Sequence, residues 1–119
     1  MAKAQYAEVI AEAPVEIRLE LFTNGPLTRT TVEQISGMLS RRWPVTWDAK
    51  VPSSTSRDHP ARWHATIPPA ASGATELLHR EIRDELRSID PAGTFKFRTR
   101  WNFPQSPNDQ EIYEERWKM

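Results

Sequence analysis

Apolar side chains fall on every odd position from residue 7 to residue 21: Ala7, Val9, Ala11, Ala13, Val15, Ile17, Leu19 and Leu21. Most even positions in the same stretch are charged (Glu8, Glu12, Glu16, Arg18, Glu20). A period of two predicts a strand with one buried face. Pro14 interrupts the run without shifting its phase. The stretch is therefore either one long strand with an edge or bulge at the proline, or a lead-in strand over 6–13 followed by a main strand over 15–22. Asn24, Gly25 and Pro26 supply the turn that ends it.

The period then changes. Residues 30–43 read as a helix, with Val32, Ile35 and Leu39 as the apolar stripe and Met38 beside it. Thr30 and Glu33 have the spacing of a capping box. Gly37 costs a helix about 1 kcal/mol against Ala, which close packing on a sheet would explain. Pro44 stops the helix. Alternation returns over 45–51, with Val45, Trp47, Ala49 and Val51 on one face, and again over 61–67, with Ala61, Trp63, Ala65 and Ile67. The polar stretch 52–60 joins these two strands as a hairpin with a long connection. A second helix is predicted over 74–89, with Leu78, Ile82, Leu86 and Ile89 as its stripe. Its Arg80, Arg83 and Arg87 form a cationic line that Glu76 begins to neutralise through an i, i+4 pair. The last core strand is predicted over 94–103. In the tail, 111–117 reads as a short strand or a helical turn.

The order β-α-β-β-α-β predicts an α+β fold, a ferredoxin-like two-layer sandwich with two helices on one face of a four-stranded antiparallel sheet in the order 4-1-3-2. One domain is expected, with its core over 14–103, an N-terminal strand extension over 6–13, and a tail over 104–119 that packs on the domain or on a second copy. Ile112, Tyr113 and Trp117 make that tail too apolar to be left uncovered.

This arrangement assigns faces. Odd positions turn to the helices, so Trp47, Trp63, Phe95, Phe97 and Trp101 belong with the core, some of the tryptophans reaching the rim. Even positions form an open face: Lys96, Arg98 and Arg100 on the last strand, Glu16, Arg18, Glu20 and Phe22 on the first, and Arg62, His64, Asp48 and Lys50 on the hairpin. Glu16 and Glu20 are expected to neutralise the cations on either side. Sheets that bind single-stranded RNA present exposed aromatics for stacking, and here Phe22 is the one aromatic on the open face.

Composition narrows the function further. Sixteen Lys and Arg balance sixteen Asp and Glu in 119 residues, so no overall field draws the protein to nucleic acid or to an anionic membrane. The chain has no Cys, which excludes disulfides, thiolate nucleophiles and cysteine metal sites. No apolar run is long enough to span a bilayer, and the N-terminal stretch lacks the apolar core of a secretory signal. A cytoplasmic protein is expected. Asp58, His59 and His64 are too few for a zinc site, so no metal and no cofactor is expected. No nucleophile elbow, phosphate loop, dinucleotide fingerprint or zinc-protease motif is present. No catalytic residue is assigned. An enzymatic reading would centre on His64, with Glu16, Glu20 or Asp48 beside it and Arg62 or Arg98 for an anion.

The expectation is a non-catalytic binding or assembly module, of the regulatory or accessory kind, that works through protein–protein contacts and self-associates as a homodimer. Its binding residues are expected among Lys96, Arg98, Arg100, Arg62, Trp101, Tyr113 and Trp117. The alternatives are nucleic-acid binding through the basic face of the last core strand, and a ligand-binding protein or small enzyme built around His64.

Overall fold

At the centre of the fold lies β1 (Val15–Phe22), whose Val15, Ile17, Leu19 and Leu21 are fully buried. The computed structural model describes residues 14–69, 74–104, 108 and 110–118. The lead-in strand expected over 6–13 lies outside them.

β1 pairs antiparallel with β3 (Ala61–Ile67) on one side and with β4 (Lys96–Asn102) on the other. β2 (Asp48–Lys50) extends the sheet beyond β3, and β5 (Glu111–Glu115) extends it beyond β4. The architecture is α+β: two helices and a five-stranded antiparallel sheet in the order β2-β3-β1-β4-β5. The first four strands have the expected neighbours. The expected count of four is corrected to five, because the tail adds a strand to the edge of β4. The alternation of Glu111, Tyr113 and Glu115 inward with Ile112 and Glu114 outward suits that pleat.

Helix α1 (Arg29–Arg42) starts earlier than expected. The cap is Thr28, whose hydroxyl accepts from the Thr31 N–H at 3.1 Å. The Thr30–Glu33 box is not the cap: Glu33 instead pairs with Arg29 at 3.1 Å along the helix surface. At the other end, Pro44 pushes Trp43 out of helical conformation, and Trp43 becomes the C-cap with φ −133°. Helix α2 (Ala74–Ile89) has the expected span. Its buried line runs Thr75, His79, Ile82 and Leu86, while Leu78 and Ile89 are half-buried beside it. Arg42 ties the helices together, donating to Glu81 and Glu85 at 2.9 Å each.

Both helices press on one face of the sheet. Ile35, Met38 and Leu39 of α1 and Ile82 and Leu86 of α2 join the odd residues of β1 and β3 in one core. Trp63 and Trp101 are fully buried, and each finds a hydrogen-bond acceptor for its indole N–H: Ser36 at 3.0 Å and Thr99 at 2.9 Å. Trp47 stays half-buried at the margin, donating to the Trp43 carbonyl at 3.1 Å. Strand β2 is shorter than the expected 45–51, since Pro44 and Pro52, which have no N–H, flank the stretch. Among the described residues no helix is long and apolar enough to cross a membrane.

Candidate functional site

The face of the sheet away from the helices is a grid whose register fixes which charges meet. Arg98 stands opposite Glu20, and Glu20 stands opposite Arg62. One step along, Arg100 stands opposite Arg18, and Arg18 opposite His64. Asp48 and Lys50 extend these rows on β2. Glu16 lies further out, opposite Asn102 and Thr66, and Lys96 stands opposite Phe22.

The expectation that Glu16 and Glu20 neutralise the basic strand is therefore corrected. Of the two, Glu20 is the one that pairs with Arg98 and Arg100. Its carboxylate is 5% exposed and accepts from Arg98 Nε at 2.8 Å. Arg100 holds its own Nε 3.5 Å from the same oxygen, a charge contact short of hydrogen-bond geometry, and that buried nitrogen has no other partner among the described residues. One carboxylate is thus shared between two guanidinium groups. Glu114, reaching across from β5, adds a looser contact to Arg98 at 3.7 Å. Among the described residues no ion pair holds Arg18, Lys50 or Arg62.

Arg98 is also fixed from above. Its guanidinium lies 4.1 Å from the centroid of the Trp117 ring, and Trp117 meets Phe22 edge-on at 5.0 Å. Lys96 sits over Phe22 at 5.5 Å. The open face thus has its aromatic pair at one corner, both rings buried, rather than an exposed stacking platform.

Beside Arg98 the connection between β2 and β3 folds into the wall of a cleft of about 580 Å³. Glu20 and Arg98 lie on the sheet side, with Lys50 and Arg62, and the loop contributes Arg57, Asp58 and His59. Thr55 fastens this loop to the end of β1. Its buried hydroxyl accepts from the Thr23 N–H at 3.1 Å and lies 3.2 Å from the carbonyls of Thr23 and Gly25. A smaller hollow of about 100 Å³ adjoins, lined by Arg18, Asp48, Lys50, Arg62 and His64. A planar guanidinium held on one edge and one face keeps N–H donors for a carboxylate or phosphate. Among the described residues, Arg62 and Lys50 add charge without an ion-pair partner. The chemistry available is anion recognition. His64 lies in this hollow, and among the described residues no hydrogen bond joins it to Glu16, Glu20 or Asp48.

The expected binding residues divide. Arg62, Arg98 and Arg100 come together on the open face, and Lys96 lies at its corner. Trp101 is fully buried in the core, Trp117 is 5% exposed against Arg98, and Tyr113 is half-buried. Among the described residues no three metal-ligating side chains are grouped.

A second polar cluster lies on the helix side, around a histidine that was not among the expected site residues. His79 of α2 is 4% exposed between the rings of Phe97 and Tyr113. Its Nδ1 is 2.8 Å from the Thr99 hydroxyl, and its Nε2 is 3.3 Å from Glu115. The Glu115 carboxylate can only accept, so in the neutral imidazole Nε2 carries the proton toward it and Nδ1 accepts from the Thr99 hydroxyl, whose oxygen also accepts from the Trp101 indole. Burial lowers the His79 pKa, and the Arg83 and Arg80 charges push the same way, against the Glu115 carboxylate. Thr75 and Tyr113 both donate to Glu111 nearby. Burial, and then Glu111, raise the Tyr113 pKa. The Thr99–His79–Glu115 chain has the order of a nucleophile, base and acid, but Thr99 is fully buried. The signal that marks His79 is its helical phase with Ile82 and Leu86, which places it inside.

Comparison with family models, with curated proteins and with solved structures found no match to this chain.

Proposed function

We propose that the protein is a non-catalytic binding module that takes an acidic segment of a partner protein on its open sheet face. The observation that carries this reading is the sharing of one buried carboxylate, Glu20, by Arg98 and Arg100 beside a cleft that also holds Arg62 and Lys50. Arg is favoured at protein interfaces because its fork binds carboxylates in two places at once. The buried state of Phe22 and Trp117 favours a protein partner over single-stranded nucleic acid, whose bases need exposed rings. The strand order and the two helices on one face support a finer reading of the core as ferredoxin-like, with β5 as an added edge strand. A cytoplasmic setting fits the absence of cysteine.

Titration with a polyglutamate peptide tests the proposal. Binding is expected to weaken steeply with salt. Arg62→Ala should reduce affinity about tenfold, whereas Glu20→Gln, which removes the competing charge, should strengthen it. Tighter binding of single-stranded DNA or RNA than of the peptide would favour the nucleic-acid reading instead, and no binding of either at low salt would end both. A native mass spectrum of the same sample reports self-association and any bound metabolite.

A further inference from the structure

The smaller hollow on the open face is walled by Arg18, Asp48, Lys50, Arg62 and His64. Lys50 and Arg62 line the larger cleft as well, so the two spaces meet at these side chains. The register crowds like charges here. Lys50 stands directly opposite Arg62, and in the neighbouring row Arg18 stands directly opposite Arg100. Like charges facing one another across a sheet are destabilising, so the fold carries two unfavourable pairs close together. Arg100 leans on Glu20 at 3.5 Å, but among the described residues Arg18, Lys50 and Arg62 have no ion pair. Asp48 has none either, although it lines the same hollow. Glu20 stands opposite Arg62, yet its carboxylate is buried against Arg98. A cluster that costs the fold and is left uncompensated by it is where a ligand of opposite charge is to be sought.

We propose that this hollow seats the phosphoryl group of a phosphoserine carried by the acidic segment that the adjoining cleft takes. This use of the hollow rests on the cleft's taking such a segment. Charge selects the phosphoryl group. Three cations against one carboxylate leave the walls a surplus of two positive charges. A phosphate monoester brings about two negative charges at neutral pH and three acceptor oxygens. A carboxylate brings one charge, and so does each phosphodiester of a nucleic acid. Arg18 and Arg62 offer planar forks that meet phosphate oxygens two at a time, and Lys50 adds a compact charge with three donors. Size agrees with charge. The hollow is about 100 Å³ against about 580 Å³ for the cleft, room for one charged group rather than for a length of chain. Lys50 and Arg62, shared by both spaces, stand where the phosphoserine would join the rest of its segment.

The test titrates the whole protein, at fixed ionic strength, with fluorescent glutamate-rich peptides that differ only at a central residue: serine, glutamate or phosphoserine. The phosphoserine peptide is expected to bind about tenfold more tightly than the one with glutamate at that position. Arg18→Gln should shrink this ratio to about twofold. Lys50→Gln, at an exposed position, should shrink it in the same direction. Equal affinity for the phosphoserine and glutamate peptides would overturn the proposal, as would a ratio that neither variant lowers. If the serine and glutamate peptides still bind in that case, the reading of the cleft stands without the hollow; if none of the peptides binds, both end. Inorganic phosphate binding as tightly as the phosphopeptide would give the hollow to a free anion, and a single-stranded oligonucleotide binding more tightly would give it to nucleic acid; either result would overturn the proposal equally.

Discussion

A buried histidine with two polar contacts ties the stability of this protein to pH. His79 is neutral in the fold, because burial disfavours its charged form more than Glu115 favours it. Its folded pKa lies below the usual value of about 6.5. The unfolded chain therefore binds more protons on acidification, and stability is whole above that value and falls as pH drops through the folded pKa. Urea midpoints at about pH 7.5 and about pH 5.5 should show the loss, and His79→Gln should flatten it. A wild-type midpoint that is level or rises on acidification would contradict this account. His79 shows how far a single residue can be read from sequence. Its phase with Ile82 and Leu86 places it inside, but Glu115, its partner, stands 36 positions away on a strand that only tertiary pairing brings near. The same holds for Glu20: alternation puts it on the open face, and only the register makes it the shared anion of Arg98 and Arg100.

Elements were more legible than their ends. Helix α2 and strand β3 have the spans that periodicity predicts, since an apolar stripe over many residues outweighs any one cap. Ends depend on single hydrogen bonds, and Thr28 and Thr30 are equally plausible caps by residue type. Gly37 is a related case. The expected close approach to the sheet is absent: the nearest group to a β-carbon there would be Arg41 Nη1 of the same helix, at 3.2 Å. That exposed, flexible side chain can move aside. Gly37→Ala should therefore stabilise the protein by about 0.5–1 kcal/mol through helix propensity alone. Thermal unfolding would check it, and a lowered midpoint would mean that the position is constrained in a way the packing does not reveal.

At the scale of the molecule, a balanced composition hides an unbalanced surface. Sixteen charges of each sign cancel in the sum, yet the register gathers arginines on the open face while β5 collects glutamates at the edge. The tail binds these regions together. Trp117 covers Phe22 and stacks on Arg98, and Tyr113 and Glu115 pack against α2. Trp117→Ala should cost about 3 kcal/mol, in line with other buried aromatic truncations. It should also weaken anion binding at the cleft by releasing Arg98 from its fixed pose. Unchanged stability in chemical denaturation would mean that the tail is an ornament rather than a part of the core.

The sequence by itself determined the two helices and the strands β1, β3 and β4 with their buried faces, because periodicity is a local property set by backbone geometry. It also determined the cysteine-free, charge-balanced chemistry. Tertiary structure alone decided that the tail becomes a fifth strand, which carboxylate meets which guanidinium, and where the clefts lie. Those outcomes depend on register and on contacts between residues far apart in the chain. A shift of one strand by two residues keeps every buried face while changing every charge pair, so a face can be read from a pattern and a site cannot.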